Sequence, residues 1–168
     1  IGFPAPVVHG RIVHEPHNLG QGWVGFDFAK AFGCPVKLVN DAAMQALGSY
    51  EGGRMLFLGL GTGLGSAMIA DGQLEPMELA HMPIHHKSDF DGYIGDRERK
   101  KIGDKEWNKR LRRLIPILAT VMNYDKLYLG GGNAQRIRFK LPANVSIVSN
   151  DAGREGSAFV WQPKCPRR

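Results

Sequence analysis

Three groups of residues in this chain are of a type and spacing that can do chemistry. Asn40-Asp41 stands at the carboxyl end of the apolar run Cys34-Pro-Val-Lys-Leu-Val39, the end of a strand at which open α/β sheets place their ligands. An Asp there can take a proton from a hydroxyl, and the adjacent amide can hold a neighbouring hydroxyl. The same pair can equally do no more than cap the helix that follows. Glu78 and His81 lie three positions apart in Pro76-Met-Glu-Leu-Ala-His-Met-Pro83, a spacing that puts two side chains on one side of a helical turn. A carboxylate beside an imidazole suits a polyhydroxyl ligand; a surface ion pair and a metal site are the alternatives. His81 with His85-His86 is the one histidine cluster, and it has neither a nearby cysteine nor a carboxylate triad, which argues against zinc.

The third group is backbone. Leu56-Phe-Leu-Gly-Leu-Gly-Thr-Gly-Leu-Gly-Ser-Ala-Met-Ile-Ala-Asp-Gly72 is two apolar runs around a glycine-threonine-glycine turn. Glycines at 59, 61, 63 and 65 leave the chain free to take positive φ and to approach a bulky anion. Successive N–H groups in such a turn form a nest for phosphate, to which the Thr62 hydroxyl adds a donor. It is not a dinucleotide fingerprint, since the third glycine would fall at 64 or 66, which are Leu64 and Ser66. The stretch reads as a β-hairpin with a phosphate at its tip, against a glycine-rich hairpin with no ligand. Gly130-Gly-Gly-Asn133 is a strand–glycine–helix junction that a nucleotide's base or ribose could approach, and a tight turn explains it nearly as well. Asn18, in the loop His17-Asn-Leu-Gly20, matters only if that loop closes over the same cleft.

The elements that must position these groups alternate. Residues 1–22 read as a strand end and a long loop. Trp23 to Phe32 reads as a short helix stopped by Gly33, and Cys34 to Val39 as a short buried strand. Ala42 to Tyr50 is helix-forming, and Ser66 to Ala70 is the hairpin's second strand. Residues 74–104 are irregular, with a short helix at the basic cluster. Lys105 to Asn123 carries Trp107, Leu111, Leu114, Ile115, Leu118 and Met122 at helical steps, with Pro116 expected to kink or split it. Lys126 to Leu129 and Val145 to Val148 are strands, a short helical turn runs through Ile137, and Ala152 to Trp161 is a closing helix. Strands alternating with helices make the class α/β.

A length of 168 residues suits one good core or two small lobes, and 43% hydrophobic with 23% charged residues is ordinary for a soluble domain. No run is long enough to span a membrane and no leader is visible. Two distant cysteines, Cys34 and Cys165, support neither a disulfide framework nor a zinc site, which makes the cytoplasm the default. The net charge of +6 gathers in Arg97-Glu-Arg-Lys-Lys101, in Lys109-Arg110 with Arg112-Arg113, and at Arg167-Arg168. Such runs are usually solvated helix faces, and no aromatics interleave them as nucleic-acid stacking requires.

The order of these motifs resembles the C-terminal half and more of the ROK-family sugar kinases, nearest to the polyphosphate/ATP glucokinase branch. The resemblance rests on Phe3-Pro-Ala-Pro-Val7, Pro16-His-Asn-Leu-Gly20, Val39-Asn-Asp-Ala42, Leu60-Gly-Thr-Gly-Leu-Gly65, Glu78-Leu-Ala-His81 and Leu129-Gly-Gly-Gly132, and covers nearly all of the chain. It implies an actin-like ATPase (ribonuclease H-like) fold, present in part and mainly as the C-terminal lobe. Residues 1–40 would be the remainder of the first lobe with a sugar-site loop, and 41–168 the C-terminal lobe. It further implies transfer of a phosphoryl group from ATP or polyphosphate, with Mg²⁺, to the 6-hydroxyl of glucose or a related hexose, and a homodimer for a full-length chain. Carried over by motif, Asp41 is the catalytic base, and Asn18, Asn40, Glu78 and His81 hold the sugar. Gly61, Thr62 and Gly63 contact the donor phosphates, and Gly131 and Gly132 lie near the adenosine. The family's cysteine-rich zinc motif is replaced by His85-His-Lys-Ser-Asp-Phe-Asp91, which leaves no metal ligands to assign. The Asp-x-Gly-Gly-Thr phosphate loop does not occur in these 168 residues, so the chain alone is expected to bind hexose weakly without turnover. A non-catalytic ROK-type sugar sensor is the alternative, and a basic nucleic-acid-binding module a third.

Overall fold

A computed structural model of the chain describes residues 1–161 other than 17, 18, 86, 87 and 150, with all their side chains except that of residue 76. Asn18, His86, Cys165 and the terminal arginines lie outside the described residues. The chain begins with β1 (Gly2–Phe3), β2 (Val7–Val8) and β3 (Arg11–Ile12), then α1 (Phe28–Phe32), β4 (Val39–Asn40) and α2 (Asp41–Ser49). β5 (Met55–Leu60), β6 (Leu64–Ala70) and β7 (Gln73–Met77) follow, then a 3₁₀ turn over Leu79–His81, β8 (Pro83–His85), β9 (Ser88–Asp89), α3 (Phe90–Ile94) and α4 (Asp96–Met122). After them come β10 (Lys126–Gly130), a second 3₁₀ turn over Gly132–Arg136, β11 (Val145–Ile147) and α5 (Ala152–Phe159).

The central sheet runs β11-β10-β5-β6-β7, parallel across its first three strands and antiparallel across the rest. β5 is the pivot. All six of its residues are buried, and the two-residue period of a strand sorts them between two cores. Leu56, Leu58 and Leu60 join Leu127, Leu129 and the α4 residues Trp107, Leu111, Leu114 and Leu118. Met55 and Phe57 join Ala67, Ile69 and the α2 residues Ala42, Ala43, Ala46 and Leu47. A strand covered on both faces reads as an unbroken apolar run, which is why Met55-Leu-Phe-Leu has no polar alternation. β1 and β4 form a separate parallel pair, and Phe3, Ala5, Val7, Ile12 and Phe28 make a third, smaller core.

Several elements depart from the sequence reading for identifiable reasons. The interruption of the long helix falls at Gly103 (φ 79°, ψ 157°), and the helix continues through Pro116. Pro116 and Arg112 are both exposed, so the carbonyl deprived of its partner lies on the water-facing side. Helix α1 begins only at Phe28, capped by the Asp27 carboxylate, which accepts from the Lys30 N–H at 2.9 Å, and it ends at Gly33 (φ 65°). The residues before it form a loop because the Glu15 carboxylate accepts the backbone N–H groups of Gly22, Trp23 and Val24. Those bonds hold its pKa below the usual carboxylate range. Cys34 to Leu38 is not a buried strand: Cys34, Pro35 and Lys37 are exposed and only Val39–Asn40 pairs. Glycines in α2 and α5 have a packing cause that the sequence does not announce. A Cβ on Gly48 would run into the Ala152 carbonyl, and one on Gly156 into the Met44 carbonyl, so the two helices cross nearly backbone to backbone.

Candidate active site

β4 delivers its last residue, Asn40, in extended conformation (φ −61°, ψ 149°), and α2 starts at the next. The Asn40 Oδ1 accepts from the N–H groups of Ala42 at 2.8 Å and Ala43 at 3.4 Å, and its Nδ2 donates to the Ala5 carbonyl at 3.3 Å. Asn40 is therefore the helix cap, and it also ties the Pro-Ala-Pro segment to the start of α2. Spared that task, the Asp41 carboxylate accepts from the Ala42 N–H at 2.8 Å.

One short stretch of β6 brings Asp41 and Glu78 together. At Gly65 the helix comes so close that a Cβ there would stand 2.9 Å from that of Ala42, so only glycine lets the N-terminus of α2 sit down on the strand. At the next residue the Ser66 Oγ donates to the Met77 carbonyl at 3.0 Å and accepts from the Leu79 N–H at 3.0 Å. Both neighbours of Glu78 are thus pinned to one hydroxyl. The Leu79–His81 turn then carries the imidazole round, with the His81 N–H donating to the Glu78 carbonyl at 3.2 Å.

Asp41, Glu78 and His81 all face solvent on one side. Enough protein still surrounds the two carboxylates to penalise their charge. Burial raises the Asp41 pKa, with the Ala42 N–H opposing. Burial also raises that of Glu78, His81 pulls it down, and the Asp41 charge pushes it up further. The result is two carboxylates within electrostatic reach of each other, with an imidazole acting on Glu78.

The glycine hairpin closes with the Gly61 N–H donating to the Gly63 carbonyl at 3.3 Å, and Thr62 and Gly63 are exposed. None of Gly59, Gly61, Gly63 and Gly65 has positive φ, contrary to the sequence expectation. A Cβ at Gly59 would be tight against the Phe57 ring at 3.3 Å, and one at Gly65 would run into Ala42. Positive φ occurs instead at Gly131 (81°), where a Cβ would be 2.6 Å from the Leu60 carbonyl carbon and oxygen. Two separate constraints therefore demand glycine at 131. β10 lies parallel to β5 with Gly130 opposite Gly59, so the second glycine junction rides directly over the start of the hairpin tip. Leu60 and Gly61 are in this way brought beside Gly131 and Asn133.

Sequence reasoning missed a polar corner at this place. The Asn133 Nδ2 donates to the Gly61 carbonyl at 3.4 Å and to Asp96 Oδ1 at 3.0 Å. Asp96 also pairs with Arg99 at 2.9 Å and Lys100 at 2.7 Å, and these bonds hold its pKa down to about 2. Arg99 continues to Asp104 at 2.6 Å, and Asp104 to Arg136 at 3.2 Å. Arg99 is buried, so this part of the basic cluster is not a solvated helix face. The only signal in the sequence was the mixture of signs in Asp96-Arg-Glu-Arg-Lys-Lys101.

No protein-family model matches the chain. It is 25% identical over 183 residues to the polyphosphate glucokinase of Mycobacterium tuberculosis (strain ATCC 25177 / H37Ra), an alignment covering 95% of this chain and 68% of that protein. The crystal structure of inorganic polyphosphate/ATP-glucomannokinase from Arthrobacter sp. strain KM superposes with a TM-score of 0.76 at 29% identity, over 94% of this chain and 70% of the other. The ROK hexokinase of Thermus thermophilus superposes with a TM-score of 0.64 at 18% identity, over 94% and 76%. The chain has the fold of the ROK sugar kinases. That fold is the actin-like ATPase fold, and it accounts for the mixed five-stranded sheet with helices on both faces. Likeness to sugar kinases extends along almost the whole chain, and the polyphosphate glucokinases stand among its relatives. No helix among the described residues is long and apolar enough to cross a membrane.

Proposed function

We propose that the chain carries the sugar and donor sites of a cytoplasmic glucokinase-type phosphotransferase, which moves a phosphoryl group from ATP or polyphosphate to the 6-hydroxyl of glucose or a related hexose. The observation that carries this reading is the convergence on Gly65 and Ser66: the N-terminus of α2 with Asp41, the turn bearing Glu78, and the glycine hairpin all meet on one strand. Asp41 is the general base, free of the capping role that Asn40 fulfils. It takes the proton as the sugar oxygen attacks the terminal phosphorus and the bond to the leaving phosphate oxygen breaks. Glu78 and His81 hold sugar hydroxyls, Asn40 offers its remaining amide proton to the same ligand, and Asn18, outside the described residues, is assigned to the sugar by its motif alone. The N–H groups of Gly61, Thr62 and Gly63 receive donor phosphate oxygens, and Gly131 and Gly132 leave room for the adenosine.

Magnesium, which the kinase reading implies, takes one or two carboxylates plus phosphate oxygens and keeps much of its water. Among the described residues no three His, Cys, Asp or Glu gather into a metal cluster, so the ion would be carried in on the donor phosphates and held by the Asp of the Asp-x-Gly-Gly-Thr loop, while Asp41 and Glu78 keep their roles toward the sugar. Bound there, it would offset charge on the transferring phosphoryl group. Glucose binding by titration calorimetry tests the sugar half of the reading. Retention of full glucose affinity when both Glu78→Gln and His81→Ala are introduced would discard it. Turnover is tested by glucose-dependent ADP release, which the Asp-x-Gly-Gly-Thr loop is expected to require; robust release from these 168 residues would remove that loop from the mechanism.

A further inference from the structure

The tip of the glycine hairpin has little packing to hold it. An added Cβ at Gly63 would meet nothing within 4 Å, and one at Gly61 would meet only the Gly63 carbonyl. Glycine backbone loses the most freedom on being ordered, and a nest helps a developing charge only if its N–H groups already point the right way. Two side chains from other elements supply the order. Asp91 of α3 accepts from the Leu64 N–H at 3.0 Å on one side of the tip, and Asn133 donates to the Gly61 carbonyl on the other.

Asn133 is itself fixed. Both its partners, the Gly61 carbonyl and Asp96 Oδ1, only accept, so only the amide NH₂ can face them, and each of its two protons is used. Asp96 cannot swing away, because the same oxygen accepts from Arg99 and the other pairs with Lys100. Arg99 then reaches across the non-helical Gly103 to Asp104, which fastens the first segment of α4 to the second. An unbroken chain of hydrogen bonds therefore runs from the body of α4 to the hairpin's Gly61 carbonyl.

We propose that Asn133 is a positioning residue for the donor: it sets the Gly61–Gly63 backbone for phosphate before any donor arrives, and it has no part in holding the sugar. The proposal rests on the reading of the hairpin as the donor-phosphate site. Losing one such bond costs donor affinity about five- to tenfold. A carboxylate at 133 does more harm than a truncation, because it would put a third acceptor between the Gly61 carbonyl and Asp96.

The test titrates the 168-residue chain with Mg·ATP and, separately, with tripolyphosphate, following the Gly61, Thr62 and Gly63 amide signals by NMR and glucose affinity by calorimetry. Asn133→Ala is expected to weaken both phosphate ligands five- to tenfold and Asn133→Asp further. Glucose affinity should stay unchanged, and Leu64 amide exchange should quicken while that of Leu56 to Leu58 does not. Asn133→Ser, which keeps a hydroxyl donor too short to reach both partners, gives the same comparison should the alanine variant fold poorly. Equal phosphate affinity in a folded variant and the wild type overturns the proposal, as does a parallel loss of glucose affinity. Failure of the wild type to bind either phosphate ligand overturns the donor reading of the hairpin, and the proposal with it.

Discussion

The cleft at Asp41 and the corner at Asp96 are built from the same kinds of side chain and behave in opposite ways. At Asp41 the carboxylate has backbone N–H donors, no cation within ion-pair distance among the described residues, and a second carboxylate in electrostatic reach at Glu78. At Asp96 the carboxylate has Arg99, Lys100 and Asn133 around it. Charge is penalised in the first place and stabilised in the second, so pKa values rise at Asp41 and Glu78 and fall to about 2 at Asp96. A group meant to accept a proton from substrate must retain unsatisfied basicity, whereas a group meant to hold backbone in place is best saturated. The two corners are joined through β5 and β6, with the spare charge near one end of the hairpin and the spent charge at its tip.

The contrast fixes the sign of two pH dependences. For Asp41 and Glu78 the folded state binds more protons than the unfolded one between the ordinary carboxylate value and the raised one, so their contribution to stability falls as pH rises through that window. For Asp96 the contribution is complete above the ordinary value and is lost as pH falls toward about 2. Acid unfolding monitored by circular dichroism in Asp96→Asn should lack the second component.

The largest effect expected from breaking the contrast is at Asp41. In a version of the protein that supplies the Asp-x-Gly-Gly-Thr loop, Asp41→Asn should lower kcat by about 10²–10⁴, the usual worth of a positioned base. Glucose affinity and fold should survive, because Asn40 and not Asp41 is the cap. Retention of more than about a tenth of the rate would return Asp41 to the first turn of a helix and nothing more.

Next come Glu78→Gln and His81→Ala, each expected to raise the sugar KM by about 10- to 150-fold with the donor KM little changed, since a charged hydrogen bond is worth roughly 1.5–3 kcal/mol. Asp41→Asn should in turn lower the Glu78 pKa, followed by carboxyl NMR titration, because the charge opposing its ionisation is gone. A Glu78 titration that stays put would mean the two carboxylates do not share a site. At the saturated corner, Asp96→Asn should cost about 1–3 kcal/mol of stability, read from Tm or urea midpoint, because buried Arg99 keeps only Asp104.

What was legible in the chain was whatever local pattern determines alone. The unbroken apolar run of β5, the alternation of strands and helices, and the heptad-like spacing from Trp107 to Leu118 gave the α/β sheet and its long helix. Asp41, Glu78 and the two glycine segments were legible because strand ends and glycine turns mark themselves. The rest depends on what lies opposite. Gly65 is glycine because of Ala42, Gly131 because of Leu60, and Gly48 because of Ala152, contacts 23 or more residues away that no window reveals. Arg99 looked like its exposed neighbours because nothing local distinguishes a lysine on water from an arginine folded over Asp96 and Asp104. Pro116 was misjudged for the same reason: its effect is set by which side of the helix it occupies.

The smallest effect is expected where the corner meets solvent. Arg97 is exposed, and Lys101 is 76% exposed with only a 3.5 Å contact to Glu98. Unlike Arg99, these two can be reversed in sign without stranding a buried partner, and the double variant Arg97→Glu with Lys101→Glu should alter stability by no more than about 0.5 kcal/mol. Their position beside the hairpin corner still leaves a sharper question, whether they follow a long donor. A polyanion that touches several cations releases counterions in proportion to the contacts, so the polyphosphate KM would climb steeply with salt, and removing two contacts would flatten that slope by roughly one unit for each. ATP is too compact to register the change. We expect matching slopes in wild type and variant with both donors, as for cations that only solvate a helix. A slope that flattens for polyphosphate alone would extend the donor site outward from Gly63 along the first turns of α4.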